Sequence, residues 1–445
     1  MNKLLIKDIV LINEGIRTAS DIYIEGEFIK KIGVNIKSDN DVKIIDGKGQ
    51  LAIPGMIDDQ VHFREPGLTH KGDIRSESKA AIAGGVTSYF EMPNTFPNTT
   101  SIEEFENKIK IATDNSFANF SFMFGGTNDN INEVKRIDQK QVAGIKLFLG
   151  SSTGEMLIDD KISIENIFKS TSLPISAHCE DEHTIKDNTE HYKRLYGEDI
   201  PISAHPEIRN EDACYKSSNF AVNLAKKTGA RLNVFHISSA IELDLFDSKV
   251  DLNDKKITSE VCAHHLWFTD SDYNRLGSKI KWNPAIKSKD DRDALWEGIK
   301  DNKIDIIASD HAPHTIQEKN NKYLNCPSGG PMVQHTILSL LQNCEKYGVS
   351  IEKIVEKIAH NPAIIFKVNK RGFLREGYYA DIVLIDTHTP TFVTQESLLY
   401  KCGWSPFEGQ KFDHSIHRTI LNGNIVYEDG RVNSVPYGKK ITFNR

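Results

Sequence analysis

Apolar residues fall into eight short runs between residues 57 and 314, and stretches of helical length separate one run from the next. The runs are IDDQVHF (57–63), TSYFEMPN (87–94), ANFSFMFGG (118–126), GIKLFLG (144–150), PISAHCE (174–180), RLNVFHIS (231–238), ITSEVCAHH (257–265) and IDIIASDHAPH (304–314). Short apolar runs are typical of buried strands, and segments such as SIEEFENKIKIATD carry apolar positions three and four apart, as amphipathic helices do. The alternation predicts an α/β fold, a TIM-type (β/α)8 barrel over residues 54–369.

Short β segments recur on both sides of the barrel. They are LLIKDIVLI, SDIYIEGEFIKKIG and VKIIDGKG before it, and ADIVLID and HRTILNGNIVYEDGRV after it. The last segment contains Asn422-Gly423, a pair typical of a tight hairpin turn. Because neither set can bury a core alone, we expect residues 1–53 and 370–445 to pair into one small β-sandwich domain.

The composition is that of a folded protein, with 39% hydrophobic and 26% charged residues. Lys and Arg number 55 against 62 Asp and Glu, and the basic residues are scattered, so we expect no nucleic-acid partner. No apolar run approaches the roughly 18 residues that a membrane span needs. The six cysteines are far apart without a C-x-x-C pair, and the N-terminal stretch lacks a cleavage site, so free thiols and a cytoplasmic location are expected.

Polar side chains gather where the predicted strands end, which is where such barrels place their active sites. Gln60, His62 and Arg64 close the first run, Asn94 the second, Lys146 lies in the fourth, His178 and His236 close the fifth and sixth, and Asp310 and His314 close the eighth. A single strand-end histidine is usually structural. A whole ring of such residues predicts an active site that takes a small-molecule substrate.

The ring has the donor types that suit a borderline divalent metal such as Zn²⁺. His62, His178, His236 and Asp310 supply four candidate ligands. Lys146 offers no acceptor as an ammonium, but a carbamate formed with CO₂ would be anionic and could bridge two metal ions. The alternative is a Lys146 side chain that reaches solvent at the barrel mouth.

Eight segments together resemble the dihydroorotases, a family within the amidohydrolase superfamily of cyclic-amide hydrolases. They are PGMIDDQVHFREPGLTHKGD (54–73), EMPNT (91–95), GIKLFLGSSTG (144–154), SAHCED (176–181), VFHISS (234–239), KWNPAIK (281–287), SDHAPH (309–314) and NPAIIF (361–366). The resemblance implies reversible, zinc-dependent cyclisation of N-carbamoyl-L-aspartate to L-dihydroorotate in de novo pyrimidine biosynthesis. A homodimer is a candidate assembly.

The resemblance also implies a role for each residue of the ring. His62 and Asp310 would bind the first metal, and His178 and His236 would bind the second. Carbamylated Lys146 would bind both metals. Arg64, Asn94 and His314 would hold the substrate's exocyclic carboxylate, Asn283 its ring, and Ser328 and Gly329 would present backbone groups to the ring edge. Chemistry supports two of these roles. The Arg64 guanidinium suits bidentate capture of a carboxylate. Asp310 can carry protons as the catalytic residue, and His311 and His314 are further proton carriers nearby. The alternative for Arg64 is a surface ion pair.

One position departs from the family pattern. Where the family usually has H-x-H, this chain has Gln60-Val61-His62, and a glutamine carbonyl is a poorer zinc donor than imidazole. The enzyme could work with one zinc, Gln60 could ligate through oxygen, or the protein could be a catalytically inactive relative. We expect one zinc to bind firmly and a second to be weak or absent, with Gln60 a weak or absent ligand.

Two rival functions stay open. An allantoinase or hydantoinase would share the metal ring without needing the carboxylate-binding residues. A non-catalytic barrel could serve as a scaffold for a partner such as aspartate transcarbamoylase. Among the other histidines, His264 and His265 are expected to be structural or to support the site, and His205 to be an ordinary surface or loop residue.

Overall fold

Five strands near the N-terminus belong to a small mixed sheet, in a computed structural model that describes residues 2–37, 40–150 and 156–445. They are β1 (Lys3–Asn13), β2 (Ile16–Glu25), β3 (Phe28–Gly33), β4 (Lys43–Asp46) and β5 (Leu51–Pro54). β2 pairs with one edge of β1, whereas β4 and β5 pair with successive parts of the other edge of β1. The sheet therefore branches at β1, where β4 and β5 lie on the same side of the strand.

The next eight strands form the barrel. They are β6 (Met56–Val61), β7 (Val86–Glu91), β8 (Asn119–Gly125), β9 (Gly144–Phe148), β10 (Ile175–His178), β11 (Leu232–Val234), β12 (Ile257–Cys262) and β13 (Ile306–Ala308). Each pairs in parallel with its neighbour in sequence. A hydrogen bond of 2.7 Å from the His62 N–H to the His311 carbonyl joins the first strand to the last. Each strand overlaps one predicted run, so the predicted TIM-type barrel is confirmed.

Helices follow the barrel strands, and several begin at a capping side chain. The helices are α1 (Ile74–Ala83), α2 (Ile102–Asn115), α3 (Ile131–Arg136), α4 (Lys161–Ser170), α5 (Glu182–Tyr196), α6 (His205–Ile208), α7 (Glu211–Thr228), α8 (Ala263–Trp267), α9 (Tyr273–Leu276), α10 (Lys289–Lys300), α11 (Ile316–Lys319), α12 (Thr336–Cys344), α13 (Ile351–Val355) and α14 (Asn361–Ile365). Asp73 caps α1 and Ser288 caps α10, each accepting a hydrogen bond from a backbone N–H of the first turn. Among the described residues, no helix has the length and apolar character that crossing a membrane requires.

The chain then returns to the small sheet. The remaining strands are β14 (Ile382–Asp386), β15 (Thr391–Phe392), β16 (Lys411–Phe412), β17 (Ser415–Leu421), β18 (Asn424–Glu428) and β19 (Arg431–Val432). β14 pairs with β5, and β17, β18 and β19 extend the same sheet, so strands from both ends of the chain combine as predicted. Asn422 and Gly423 have φ of 49° and 73°, as the predicted hairpin turn requires. The boundaries given for the two domains stay predictions.

The small sheet has an apolar core of its own. Ile6 and Ile22 from its first part pack in one buried cluster with Ile382 and Leu384 from its last part. This shared core explains why neither set of strands would be stable alone. The sheet's connection to the barrel is short, since β5 ends at Pro54 and β6 begins at Met56.

Candidate active site

A polar chamber lies at the carboxyl ends of the barrel strands. It is lined by Gln60, His62, Arg64, Asn94, Lys146, Phe148, His178, His236, Trp282, Asn283, Asp310, Ala312, Ser328 and Gly329. The lining includes every predicted metal ligand and every predicted substrate-binding residue except His314, which lies directly behind Arg64. The last residues of the GIKLFLGSSTG motif, 151–154, lie outside the described residues.

Three residues that line the chamber have a strained backbone conformation. Arg64, His236 and Asp310 have φ of 71°, 42° and 43°, in the left-handed region that non-glycine residues rarely adopt. Each follows a strand end by two or three residues, so the backbone turns sharply as it leaves the barrel wall. Such conformations cost about 1–3 kcal/mol each and cluster at functional sites.

His178 and His236 form a pair at the ends of neighbouring strands. Nδ1 of His178 lies 2.9 Å from Nε2 of His236, and Nε2 of His178 lies 3.1 Å from a carboxylate oxygen of Glu180. Arg209 in turn pairs with Glu180. Burial lowers the pKa of both histidines, and the effect is large for His236. Burial therefore favours the neutral imidazoles, which is the state that binds a metal ion.

Lys146 is fully buried in the barrel wall on β9. Its Nζ makes no hydrogen bond with the described residues and lies 4.0 Å from the centre of the Phe235 ring. Burial lowers the pKa of this amine to about 8. A solvent-exposed Lys146, the alternative considered from the sequence, is ruled out because the residue has 0% exposure. A buried amine of lowered pKa is suited to reaction with CO₂.

His62, Gln60 and Asp310 meet across the junction of the first and last strands. Nε2 of His62 lies 3.3 Å from Oδ1 of Asp310, and the Gln60 amide donates a hydrogen bond of 3.2 Å to the same oxygen. Nδ1 of His62 lies 2.9 Å from the Asn94 side-chain oxygen, so Asn94 orients this ring. Burial raises the pKa of Asp310 to about 7, which allows proton transfer near neutral pH.

The Arg64 guanidinium is buried at the chamber mouth with no ion-pair partner among the described residues. Its side chain donates to the Pro313 carbonyl at 3.0 Å and lies 3.0 Å from Nε2 of His314. Only 2% of the residue is exposed, so the surface ion pair considered from the sequence is ruled out. Asp310, Glu91 and Glu318 attract this buried cation only from beyond salt-bridge distance, so an anionic ligand in direct contact with it would compensate the cost of its burial.

His314 is part of a second row of polar groups behind the chamber. Its Nδ1 lies 3.2 Å from the Lys71 ammonium, which also pairs with Glu318 at 3.2 Å. Its Nε2 lies 3.1 Å from the Ser328 carbonyl. Sequence reasoning missed Lys71, although its position in the LTHKGD part of the first motif was a usable signal.

A buried lysine donates hydrogen bonds to the loop that carries Ser328 and Gly329. Lys319 donates to the carbonyls of Pro327 and Gly329 at 2.9 and 2.8 Å, and it has 0% exposure. The neighbouring Lys281 donates to the carbonyl of Tyr323 at 2.8 Å. Neither lysine was recognised from the sequence, because nothing in the pattern shows that these ammonium groups are buried.

Two histidines differ from what the sequence suggested. His205 is buried, not a surface or loop residue: its Nε2 lies 2.6 Å from the Trp282 carbonyl and its Nδ1 2.9 Å from the Tyr323 hydroxyl. His311 cannot serve the chamber as a proton carrier, because its Nε2 lies 2.9 Å from Glu77 on α1. Both errors arise because sequence position does not reveal the direction of a side chain.

The sequence model of the amidohydrolase family matches residues 51–426. The chain belongs to this family. Its relatives include a dihydroorotase of Clostridioides difficile, 32% identical over 413 residues that cover 92% of this chain and 95% of the relative. An allantoinase of Desulfitobacterium hafniense is 30% identical over 440 residues, covering 97% and 96%. The predicted class of enzyme, a hydrolase acting on cyclic amides, is confirmed.

Among solved structures, an L-hydantoinase (dihydropyrimidinase) from Arthrobacter aurescens superposes with a TM-score of 0.94 at 25% identity, covering 99% of this chain and 100% of its own. Amidohydrolases are generally metal-dependent. The chamber fits a metal ion because Nζ of Lys146, Nδ1 of His236 and Oδ1 of Asn283 are all buried without a hydrogen bond to the described residues.

Proposed function

We propose that the chain is a zinc-dependent dihydroorotase, which interconverts N-carbamoyl-L-aspartate and L-dihydroorotate in de novo pyrimidine biosynthesis. The observation that carries the proposal is the buried Arg64, which forms no salt bridge with the described residues and lines the chamber. Dihydroorotate has an exocyclic carboxylate that would compensate this charge. The dihydroorotase relatives support the same substrate. The cytoplasmic location and the homodimer stay predictions.

His62, Lys146 as its carbamate, His178, His236 and Asp310 would hold zinc in the chamber. When bound, zinc would supply Lewis acidity toward the ring carbonyl and toward water. The protein's own part is to orient the ligands: Asn94 fixes the ring of His62, and Glu180 fixes that of His178. Such partners set which ring nitrogen carries the proton.

Asp310 is the proton carrier in this proposal. In the hydrolytic direction a water oxygen bonds to the ring carbonyl carbon, and Asp310 takes the proton that the water loses. The bond between that carbon and the ring nitrogen then breaks, and Asp310 returns the proton to the departing nitrogen. The Asp310 carboxylate is placed for both transfers, because it lines the chamber and lies 3.3 Å from His62.

Other residues in and around the chamber would make the remaining contacts with the substrate. His314 would join Arg64 in binding the carboxylate, with Asn94 beside them. Asn283, whose side-chain oxygen has no hydrogen-bond partner among the described residues, would accept from a ring N–H. Ser328 and Gly329 would present backbone groups to the opposite ring edge, since both line the chamber.

An allantoinase or hydantoinase activity is the second candidate, favoured by the allantoinase relative and by the similarity to L-hydantoinase. Arg64 argues against it, because hydantoin carries no carboxylate to pair with a buried guanidinium. Only one feature favours a non-catalytic scaffold, which is Gln60 in place of the first histidine of the usual H-x-H pair.

The deciding experiment compares hydrolysis of dihydroorotate, allantoin and hydantoin by the zinc-loaded protein, with zinc per chain measured on the same sample. We expect turnover of dihydroorotate to exceed that of the other two by at least about 10², the discrimination expected when a buried polar group is left unpaired. Preferred turnover of allantoin or hydantoin would support the second candidate. Bound zinc without any turnover would support the scaffold.

A further inference from the structure

One buried cysteine and two buried histidines, residue types that can bind a metal ion, lie together at the end of the seventh barrel strand. Cys262 ends β12, and His264 and His265 lie in the first turn of α8. One ligand atom from each of the three residues lies within 4.8 Å of the others. The exposure of the residues is 0%, 0% and 3%. None of them lines the chamber or belongs to the predicted zinc ligands.

The two histidines have buried ring nitrogens available to a ligand. Neither ring nitrogen of His264 makes a hydrogen bond of normal geometry with the described residues, although the Ser309 backbone lies close enough to polarise the ring. Nε2 of His265 lies 3.1 Å from the Pro284 carbonyl, and its Nδ1 has no such partner. A ring whose Nε2–H donates to a carbonyl presents the lone pair of Nδ1, which is how metal-binding histidines are usually oriented.

Further oxygen atoms flank the sulfur of Cys262. A side-chain oxygen of Glu260 lies 3.9 Å from Sγ, and Oε1 of Gln60 lies 3.7 Å from it. One thiolate, two imidazoles and one oxygen form a donor set that suits tetrahedral Zn²⁺. We propose that Cys262, His264 and His265 bind a zinc ion of their own, separate from the ions held in the chamber.

This ion would stabilise the wall of the active site. The His264 ring stacks on Trp282, with ring centres 4.5 Å apart and planes 15° apart. Trp282 lines the chamber and donates from its indole N–H to the Asp310 carbonyl at 3.3 Å. A metal that fixes His264 therefore fixes the surface on which Trp282 packs, and through it the backbone of Asp310.

X-ray absorption at the zinc edge of the zinc-loaded native protein tests the site without any substitution. We expect a sulfur neighbour at about 2.3 Å, the usual Zn–S distance, because no chamber ligand contains sulfur. A spectrum with only nitrogen and oxygen neighbours would overturn the proposal.

Cobalt substitution then assigns the sulfur to a residue. We expect the native protein to show thiolate-to-cobalt charge-transfer absorption in the near ultraviolet, and Cys262→Ser to lose both this band and one equivalent of metal per chain. Cys344→Ser, at a buried cysteine on α12, is the matched control and should keep both. A band that persists in folded Cys262→Ser would overturn the assignment; if that variant does not fold, the native zinc spectrum decides.

The variant His178→Ala separates this site from the chamber. Because His178 belongs only to the chamber, we expect the thiolate band to remain while chamber metal is lost. Loss of the band together with the chamber metal would overturn the claim of a separate site. The readout is spectroscopic, so it does not depend on whether the chain turns over dihydroorotate.

Discussion

The side-chain amide of Gln60 donates a hydrogen bond to Oδ1 of Asp310, with its nitrogen 3.2 Å from that oxygen. The Gln60 carbonyl oxygen points instead toward Sγ of Cys262, at 3.7 Å. Gln60 therefore supports the Asp310 carboxylate through its N–H group and does not direct its oxygen to the place where Asp310 and His62 meet. In the proposed site, the first metal would accordingly have one strong donor fewer than an H-x-H pair would give it.

Replacing this glutamine should change the metal content of the chamber. Gln60→His supplies an imidazole beside His62, so we expect the zinc bound after mild chelation to rise by one equivalent per chain, as measured by elemental analysis. Gln60→Ala is the control and should give no increase. An unchanged zinc content in the histidine variant would show that residue 60 does not set the stoichiometry.

Arg64→Ala should lower kcat/KM for dihydroorotate by roughly 10² or more, because a charge-assisted pair in a closed site contributes about 3 kcal/mol. Steady-state kinetics measures the effect, and Arg275→Ala, at an exposed arginine on α9, should leave kcat/KM unchanged. Near-normal turnover in Arg64→Ala would remove the carboxylate-binding role from the proposal.

Lys146→Ala should lose both zinc and activity, because it removes the proposed carbamate oxygens. We expect acetate to restore part of each by supplying a carboxylate in the same place. Mass spectrometry of the intact native protein should show the added CO₂ where the carbamate survives the measurement. Normal metal binding in Lys146→Ala would contradict the bridging role.

Glu318 should contribute pH-dependent stability to the loop behind the chamber. Despite partial burial, His314 at 3.6 Å, hydrogen bonds from the Thr315 backbone N–H and His70, and the Lys71 ammonium at 3.2 Å together hold the pKa of this carboxyl well below 4.5. Its contribution is therefore complete above about pH 4.5 and is lost as the pH falls through the lowered folded-state pKa. Urea unfolding should show a larger difference between native protein and Glu318→Gln at about pH 7 than at about pH 3.5. The exposed Glu103→Gln is the control, and a difference independent of pH would contradict the prediction.

Lys319→Met should both destabilise the protein and weaken substrate binding. The variant removes the only nitrogen donor, among the described residues, for the side of the Pro327 and Gly329 carbonyls that faces Lys319, at a cost of about 1–3 kcal/mol for each group left unsatisfied. We expect a lower free energy of unfolding and a higher KM for dihydroorotate, because Gly329 lines the chamber. Lys322→Met, at an exposed position of the same loop, should change neither quantity. An unaltered KM in Lys319→Met would show that the lysine does not position the loop.

The strands of the barrel, and the positions of the candidate active-site residues along them, can be predicted from the amino-acid sequence alone. Apolar runs of strand length mark residues that must leave water, and the alternation with helical periodicity leaves few ways to bury them other than a parallel barrel. Because the carboxyl ends of its strands meet at one face, His178 and His236 could be placed together before any coordinates were known. Their contact of 2.9 Å follows from that arrangement.

Which polar groups are buried, and where their side chains point, becomes clear only in the folded chain. Lys319 and Lys281 look like surface residues in the sequence, yet loop carbonyls surround both of them. His311 follows Asp310 directly, yet its ring contacts Glu77 on α1. Periodicity records the average environment of a segment, whereas the direction of one side chain after a strand end depends on backbone turns and on partners contributed by remote parts of the chain.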